Sequence, residues 1–537
     1  MPGRHSSSID DGTGPSTPDQ PLLGRAYTQC SFEDERTPPP TFRRLSSVSA
    51  GGDLTDFERA WGQNRWGYQM LALVCTLLIS VGSHYSAHTL GALKSTELDI
   101  TNAQYGALQS TVSAVNTVLP ILGGLFIDTF GTSSGSLIAT LLITLGNLII
   151  SVSTHAQSFP AMVAGRILYG LGSGTITVVQ ETILGSWFRG KGLAITIAIQ
   201  ITTSRIASFL SMGTAIPIAD RFGFYGAAFW ASFVVCALSF GINLVYIAAM
   251  RRIRRSMPDD MLASLRARHK FNPRLLLFLF GIYWLIVCES FTVGAGWNSF
   301  LHINSELVKL RFGVGDGLAA WSASVSQIMP IVMVPFLGWF FDVYGLRTDM
   351  LVASTALFTA SMVLLGFTRT NPLIGMVVFS VSLALGPLAE ITAISLILPP
   401  SSLGTGLGIY KSAMNIGSTI VDIVVGVLQD RGSRILQETE HSYDYVMAFF
   451  IAWGALSTLG ASTVFLVDRF RWGSLLRSGA RARREAYHAM KAKIGRPMQL
   501  ANAPNWREHA SLYNYTPLAV LGLLLAASWA LFAAKLA

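Results

Sequence analysis

The chain has 537 residues, of which 51% are hydrophobic and only 13% charged, with a mean hydropathy of +0.47, against roughly 25% charged in an ordinary soluble protein. A protein core cannot absorb that much apolar sequence, because the runs approach the roughly 20 residues of a bilayer crossing; a soluble enzyme, a disordered scaffold and a coiled coil are excluded. The net charge of +9, from 39 basic and 30 acidic residues, lies beside apolar segments rather than on a soluble domain, so it reads as membrane topology and not as nucleic-acid binding.

Residues 1–64 are rich in Ser, Pro, Gly, Asp and Arg, without apolar periodicity, and are expected to form a disordered cytoplasmic head. The head lacks the apolar centre and cleavage site of a secretory signal, so the first hydrophobic helix is expected to insert and stay. Within it Asp19, Leu22 and Leu23 form a DxxLL pattern of the kind read by endosomal and lysosomal sorting adaptors. The run RRLSS offers a basophilic kinase site at Ser46.

Six apolar segments follow, near 67–93, 104–127, 137–153, 161–188, 193–215 and 226–250. Six more lie near 275–301, 317–341, 350–367, 373–398, 403–428 and 446–467. These divide the membrane region into six-helix bundles over 65–250 and 274–470, joined by a linker over 251–273. Eight basic residues between Arg251 and Arg274 keep that linker cytoplasmic, and with it the head. A basic amphipathic segment over 471–515 can lie on an anionic leaflet, and the last apolar run, within 516–537, is just long enough to form a thirteenth crossing.

An internal repeat supports the split. GGLFIDTFG, with Gly124, Asp128 and Gly131, follows the second segment, and LGWFFDVYGLR, with Gly338, Asp342, Gly345 and Arg347, follows the eighth. Both have the spacing G-x-x-x-D-x-x-G, and the two aspartates are 214 residues apart, as expected of two parallel six-helix repeats. The first glycine lets helices approach, the aspartate can meet a helix N-terminus or an arginine, and the second glycine turns the chain. In this the chain resembles the major facilitator superfamily, whose loop signature has the same spacing; here Thr129 and Thr132 stand where basic residues are usual. The runs beginning GRILYGLGSG at Gly165, VVQETILGSWFRGKG at Val178 and LGTGLGIYKSAMNIG at Leu403 are similar to that superfamily's lysosomal dipeptide transporter branch and its fungal relatives. The resemblance implies an all-α fold of twelve helices in two six-helix bundles, with the C-terminal helix as an addition, and assigns Arg205 and Gln180 to the branch's helix 5 arginine and helix 4 glutamine. Gly174 stands where the branch commonly has an acidic residue.

Polar residues too costly to face lipid mark the pathway, since a charge at mid-bilayer costs about 2.5–3.5 kcal/mol even on a lenient scale. Arg205 stays protonated and needs an acidic partner or an anionic ligand; Glu181, beside Gln180, is one candidate partner. Glu289, Glu390 and Lys411 are the other candidate substrate contacts, with Asp422 three turns beyond Lys411. His84, Tyr85 and His88 belong to the first helix, and the two histidines, four apart, share one face but lack a third clustered metal ligand; Trp297, Tyr283 and Tyr410 could stack on substrate.

A dipeptide carries an ammonium and a carboxylate, so its cavity needs a fixed anion and a fixed cation, which Arg205 with Glu181 or Glu289 supplies. No nucleotide-binding loop, nucleophile-base set or metal set is recognisable, so the protein is read as a transporter without cofactor, not an enzyme. The implied function is alternating-access uniport of dipeptides from lysosome or vacuole to cytosol. A proton-coupled exporter of organic anions or drugs is the alternative transporter, and a nutrient-sensing receptor on a transporter frame the alternative of another class. Membrane lipid and a small-molecule substrate are the expected partners; the resemblance adds a shielding accessory protein, and a homodimer is left open.

Overall fold

The computed structural model describes residues 65–93, 102–188, 192–255, 273–314, 322, 325–399, 402–436, 443–479, 482, 496, 499–503 and 512–536. Asp19, Leu22, Leu23 and Ser46 lie outside the described residues. The first half comprises α1 (Arg65–Ile79 and, beyond a break at Ser80, Val81–Leu93), α2 (Asn102–Phe130), α3 (Thr132–His155), α4 (Phe159–Phe188), α5 (Leu193–Phe222) and α6 (Gly226–Arg255). The second comprises α7 (Gly281–Glu289, a π turn Ser290–Gly294, then Ala295–Phe312), α8 (Ile328–Val343), α9 (Arg347–Phe367), α10 (Pro372–Ile397), α11 (Leu403–Leu436) and α12 (Asp444–Arg471), after which comes α13 (Leu512–Leu536). Among the described residues, ten helices are long and apolar enough to cross a membrane by length and composition. The described apolar part of α2 is only Ala114–Phe130, and α7 is interrupted by its π turn.

The outer helices invert the pattern of a soluble protein. Leu238 and Val245 on α6, Phe336 and Trp339 on α8, and Leu459 and Phe470 on α12 are all more than half exposed, while serines, threonines and asparagines fill the interior. Lipid accepts the first arrangement, and the second is supported by hydrogen bonds between buried polar groups inside the protein. In the first half Ser86 bonds Asn147, Asn243 bonds Thr140 at 2.9 Å and Tyr169 donates to the Ser83 carbonyl at 2.8 Å. The second half relies on apolar bulk, with Trp297, Phe300, Phe358, Phe379 and Phe450 packed in one cluster.

Both helix interruptions are repaired by side chains. At the break in α1 the Ser239 hydroxyl of α6 accepts from the Gly82 N–H at 3.0 Å and donates to the Leu78 carbonyl at 2.9 Å, joining the two ends. At the π turn Trp453 of α12 donates its indole N–H to the Thr292 carbonyl at 2.7 Å. Backbone groups freed inside a membrane protein must be satisfied in this way.

α13 has 25 residues, and its apolar part is the shorter stretch Tyr515–Leu531. It packs against both α2 and α11, one helix from each half. The Trp529 indole N–H donates to the Thr117 hydroxyl of α2 at 3.0 Å, and that hydroxyl donates onward to the Ala114 carbonyl at 2.7 Å. An interhelical hydrogen bond in a membrane is worth about 0.6 kcal/mol. Trp529→Phe, which removes only the donor, is therefore expected to lower the Tm of the purified protein by about 1 °C. Trp529→Ala, which also removes the ring, lowers it several-fold more; equal Tm values for the two variants and the parent would show that the contact is idle.

Candidate functional site

Helix alternation puts the α2–α3, α4–α5, α8–α9 and α10–α11 connections at one end of the molecule, called here the even-loop end. There the two signature aspartates do the same thing in opposite directions. Asp128, at the end of α2, accepts from the Gly404 N–H at 3.0 Å and from the Thr405 N–H and hydroxyl, each at 2.6 Å, at the N-terminus of α11. Asp342, at the end of α8, accepts from the Ala194 and Ile195 N–H groups at 3.2 and 3.0 Å, at the N-terminus of α5. A helix N-terminus presents unpaired N–H donors and a partial positive charge, so a carboxylate is its natural cap. Each half thus caps a helix of the other.

The backbones must come close for this. A Cβ on Gly124 would collide with the Gly404 carbonyl, and one on Gly338 with the backbone of Ala194 and Ile195. The second glycines, Gly131 and Gly345, have φ of +89° and +82°, where an L side chain is strained. Arg347 donates to the Phe341 carbonyl at 2.9 Å and to the carbonyls of Leu476 and Ser478 at 3.4 Å. The Leu346 N–H donates to the Arg477 carbonyl at 3.0 Å, and Arg477 pairs with Asp349 at 2.7 Å. The segment after α12 is thereby strapped onto the α8–α9 turn.

Further from this end, about 10–20 Å along the helices at 1.5 Å per residue, the halves meet through polar side chains. Pro120 has no N–H, so the carbonyl four residues earlier, that of Asn116, loses its helical partner; Asn415 of α11 supplies one with its side-chain amide at 3.0 Å. Arg205 of α5, half-buried, donates to the Gln327 side-chain oxygen at the start of α8, at 2.9 Å. Lys411 of α11 pairs with Glu181 of α4 at 3.1 Å. Gln180 donates to the Thr76 carbonyl at 2.7 Å and accepts from Gln200 at 3.2 Å, tying α1, α4 and α5 together within the first half. His84 is close enough to Arg205, Lys411 and His88 for their charges to act on it.

The expected Arg205–Glu181 partnership is not the one present: Glu181 is taken by Lys411, and Arg205 by a neutral amide. Asp422 pairs with His302 at 3.2 Å, inside the second half. Glu289 is buried at the π turn facing Gly460 of α12, where an added Cβ would strike its carboxylate. Glu390 accepts from the Tyr410 hydroxyl at 3.0 Å and lines a small cavity in the second half with Arg347. The aromatic candidates are likewise core residues: Trp297 donates to Ser382 at 3.0 Å and Tyr283 to the Gly406 carbonyl at 2.9 Å. Gln327, Asn116 and Asn415 were not legible as site residues, although Pro120 signals an orphaned carbonyl.

The Major Facilitator Superfamily model matches residues 72–303 and 286–535. The chain belongs to the major facilitator superfamily. Among solved members of this superfamily, the fold matches the proton:xylose symporter XylE with a TM-score of 0.58 at 15% identity, over 74% of this chain and 94% of that one. It also matches the human organic anion transporter MFSD10, with a TM-score of 0.52 at 14% identity, over 74% and 99%. In sequence the chain is 25% identical over 441 residues to the lysosomal dipeptide transporter MFSD1 of Homo sapiens, covering 79% of this chain and 91% of that protein. The protein is a multi-pass membrane transporter with a small-molecule substrate, and not an enzyme.

Proposed function

We propose that this transporter carries dipeptides as a uniporter from the lumen of a lysosome or vacuole to the cytosol, with its head and even-numbered loops cytosolic. The observation that carries the reading is a set of fixed charges of both signs, Arg205, Lys411 and Glu181, on three helices from both halves at mid-depth. A dipeptide presents a carboxylate to one sign and an ammonium to the other. The arrangement closed at the even-loop end is the one that would receive a luminal ligand, and delivery to the cytosol requires Asp128 and Asp342 to release their caps as the halves rock. The relatives named for lysosomal dipeptide transport and the basic linker after α6 support the direction and the compartment.

Uptake into liposomes by the purified protein tests this with dipeptides, free amino acids and organic anions, with and without a pH gradient. Saturable dipeptide flux insensitive to a protonophore is the expected result. Flux of organic anions alone, collapsed by a protonophore, would replace the reading with coupled anion transport. Ligand-induced thermal stabilisation without flux of any compound would make the protein a receptor.

A further inference from the structure

We infer that the mid-depth site favours dipeptides bearing a second carboxylate over those bearing a second cation. The inference rests on the dipeptide reading and deepens it. In the ion pair across the halves the two partners are unequally accessible: the Lys411 side chain is 17% exposed and that of Glu181 only 2%. A ligand arriving at the pair therefore meets the ammonium, with the carboxylate beneath it. Lys411 has three N–H donors, and the Glu181 contact at 3.1 Å engages one of them.

Arg205 is the second accessible cation. Its hydrogen bond goes to the Gln327 amide, and among the described residues it makes no ion pair. An amide accepts a hydrogen bond but leaves the guanidinium charge uncancelled, so a carboxylate that displaces Gln327 gains both. The remaining acids of the second half do not reverse the balance. Glu289 faces Gly460, away from the other half; Glu390 is close enough for its charge to act on Lys411, but it is buried and held by the Tyr410 hydroxyl.

Two accessible cations against two buried anions, Glu181 and Glu390, suit a ligand whose terminal carboxylate takes Arg205 and whose side-chain carboxylate takes Lys411. A lysyl or arginyl side chain would instead be brought against Lys411. Two unit charges at an effective dielectric near 20 interact strongly enough to change binding at least about tenfold at any separation up to about 12 Å.

The test is competitive uptake of alanyl-glutamate, alanyl-alanine and alanyl-lysine by the reconstituted full chain, by Lys411→Gln and by Glu181→Gln. Wild type is expected to favour alanyl-glutamate over alanyl-lysine about tenfold. Both variants break the same ion pair, but they move the site's charge in opposite directions. The ratio should fall toward one in Lys411→Gln and rise in Glu181→Gln. A purely structural pair would lower flux in both without moving the ratio oppositely. Equal or greater wild-type flux of alanyl-lysine, or ratios that move together in the two variants, would overturn the inference while leaving dipeptide transport standing. No flux of any of the three would overturn the dipeptide reading and this inference with it. The wild-type ratio decides alone if neither variant folds.

Discussion

Arg205→Ala lowers dipeptide uptake by roughly ten- to a hundredfold, the loss expected when a charge-assisted hydrogen bond of about 1.5–3 kcal/mol is removed. The guanidinium lies a dozen residues into α5 and reaches the other half through Gln327. It cannot discharge itself as a buried lysine can. Its cost of residence in the membrane is tolerable because it faces the junction of the halves and not lipid. Arg205→Lys keeps the charge but loses the planar fork, so an intermediate rate is expected. The measurement is initial uptake into liposomes at matched protein density, with size-exclusion profile and Tm confirming that each variant is folded. Undiminished flux in Arg205→Ala would remove this residue from the substrate path.

Asp128→Ala opens the even-loop end. The carboxylate accepts three hydrogen bonds at the start of α11, while Asp342 accepts two longer ones at the start of α5. Loss of the Asp128 set weakens the closed arrangement by about 2–4 kcal/mol, given about 1.5–3 kcal/mol per hydrogen bond to a charged group and incomplete additivity. That is roughly a thirtyfold to several-hundredfold shift in population. Asp342→Ala is expected to do the same more weakly, and Asp128→Asn, which keeps an acceptor without the charge, to fall between. Spin-label distances across the even-loop end should lengthen in the order wild type, Asp342→Ala, Asp128→Ala. Distance distributions identical to wild type in both alanine variants would show that the caps do not hold this end closed.

The twelve-helix architecture was legible because its signals are local. Apolar length reports a crossing, a basic linker marks the division, and G-x-x-x-D-x-x-G repeated at a separation of 214 residues reports two equivalent halves. The same motif carried its chemistry: an aspartate after a close-packing glycine was expected to meet a helix N-terminus or an arginine, and both copies cap helices. Which helices they cap was not legible, because the partners of Asp128 lie 276 and 277 residues away. The charged candidates show the same limit more sharply. Arg205, Glu181 and Lys411 stood out because each is costly in lipid, yet nothing local says which of them meet. Glu289 and Glu390 stood out for the same reason and are packed inside the second half.

Sequence alone determined the solvent of this protein, its two-fold internal repeat, and the short roster of side chains that had to be sheltered. Those follow from transfer energies and spacing, which are properties of each segment by itself. Tertiary structure decided that Lys411, not Arg205, takes Glu181, and that Gln327 takes Arg205. It also decided that Asn415 repairs the carbonyl freed by Pro120, and that α13 straddles α2 and α11. Pairing energies depend on which helices stand a few ångströms apart and how each is rotated, and that is set by the packing of all the helices together.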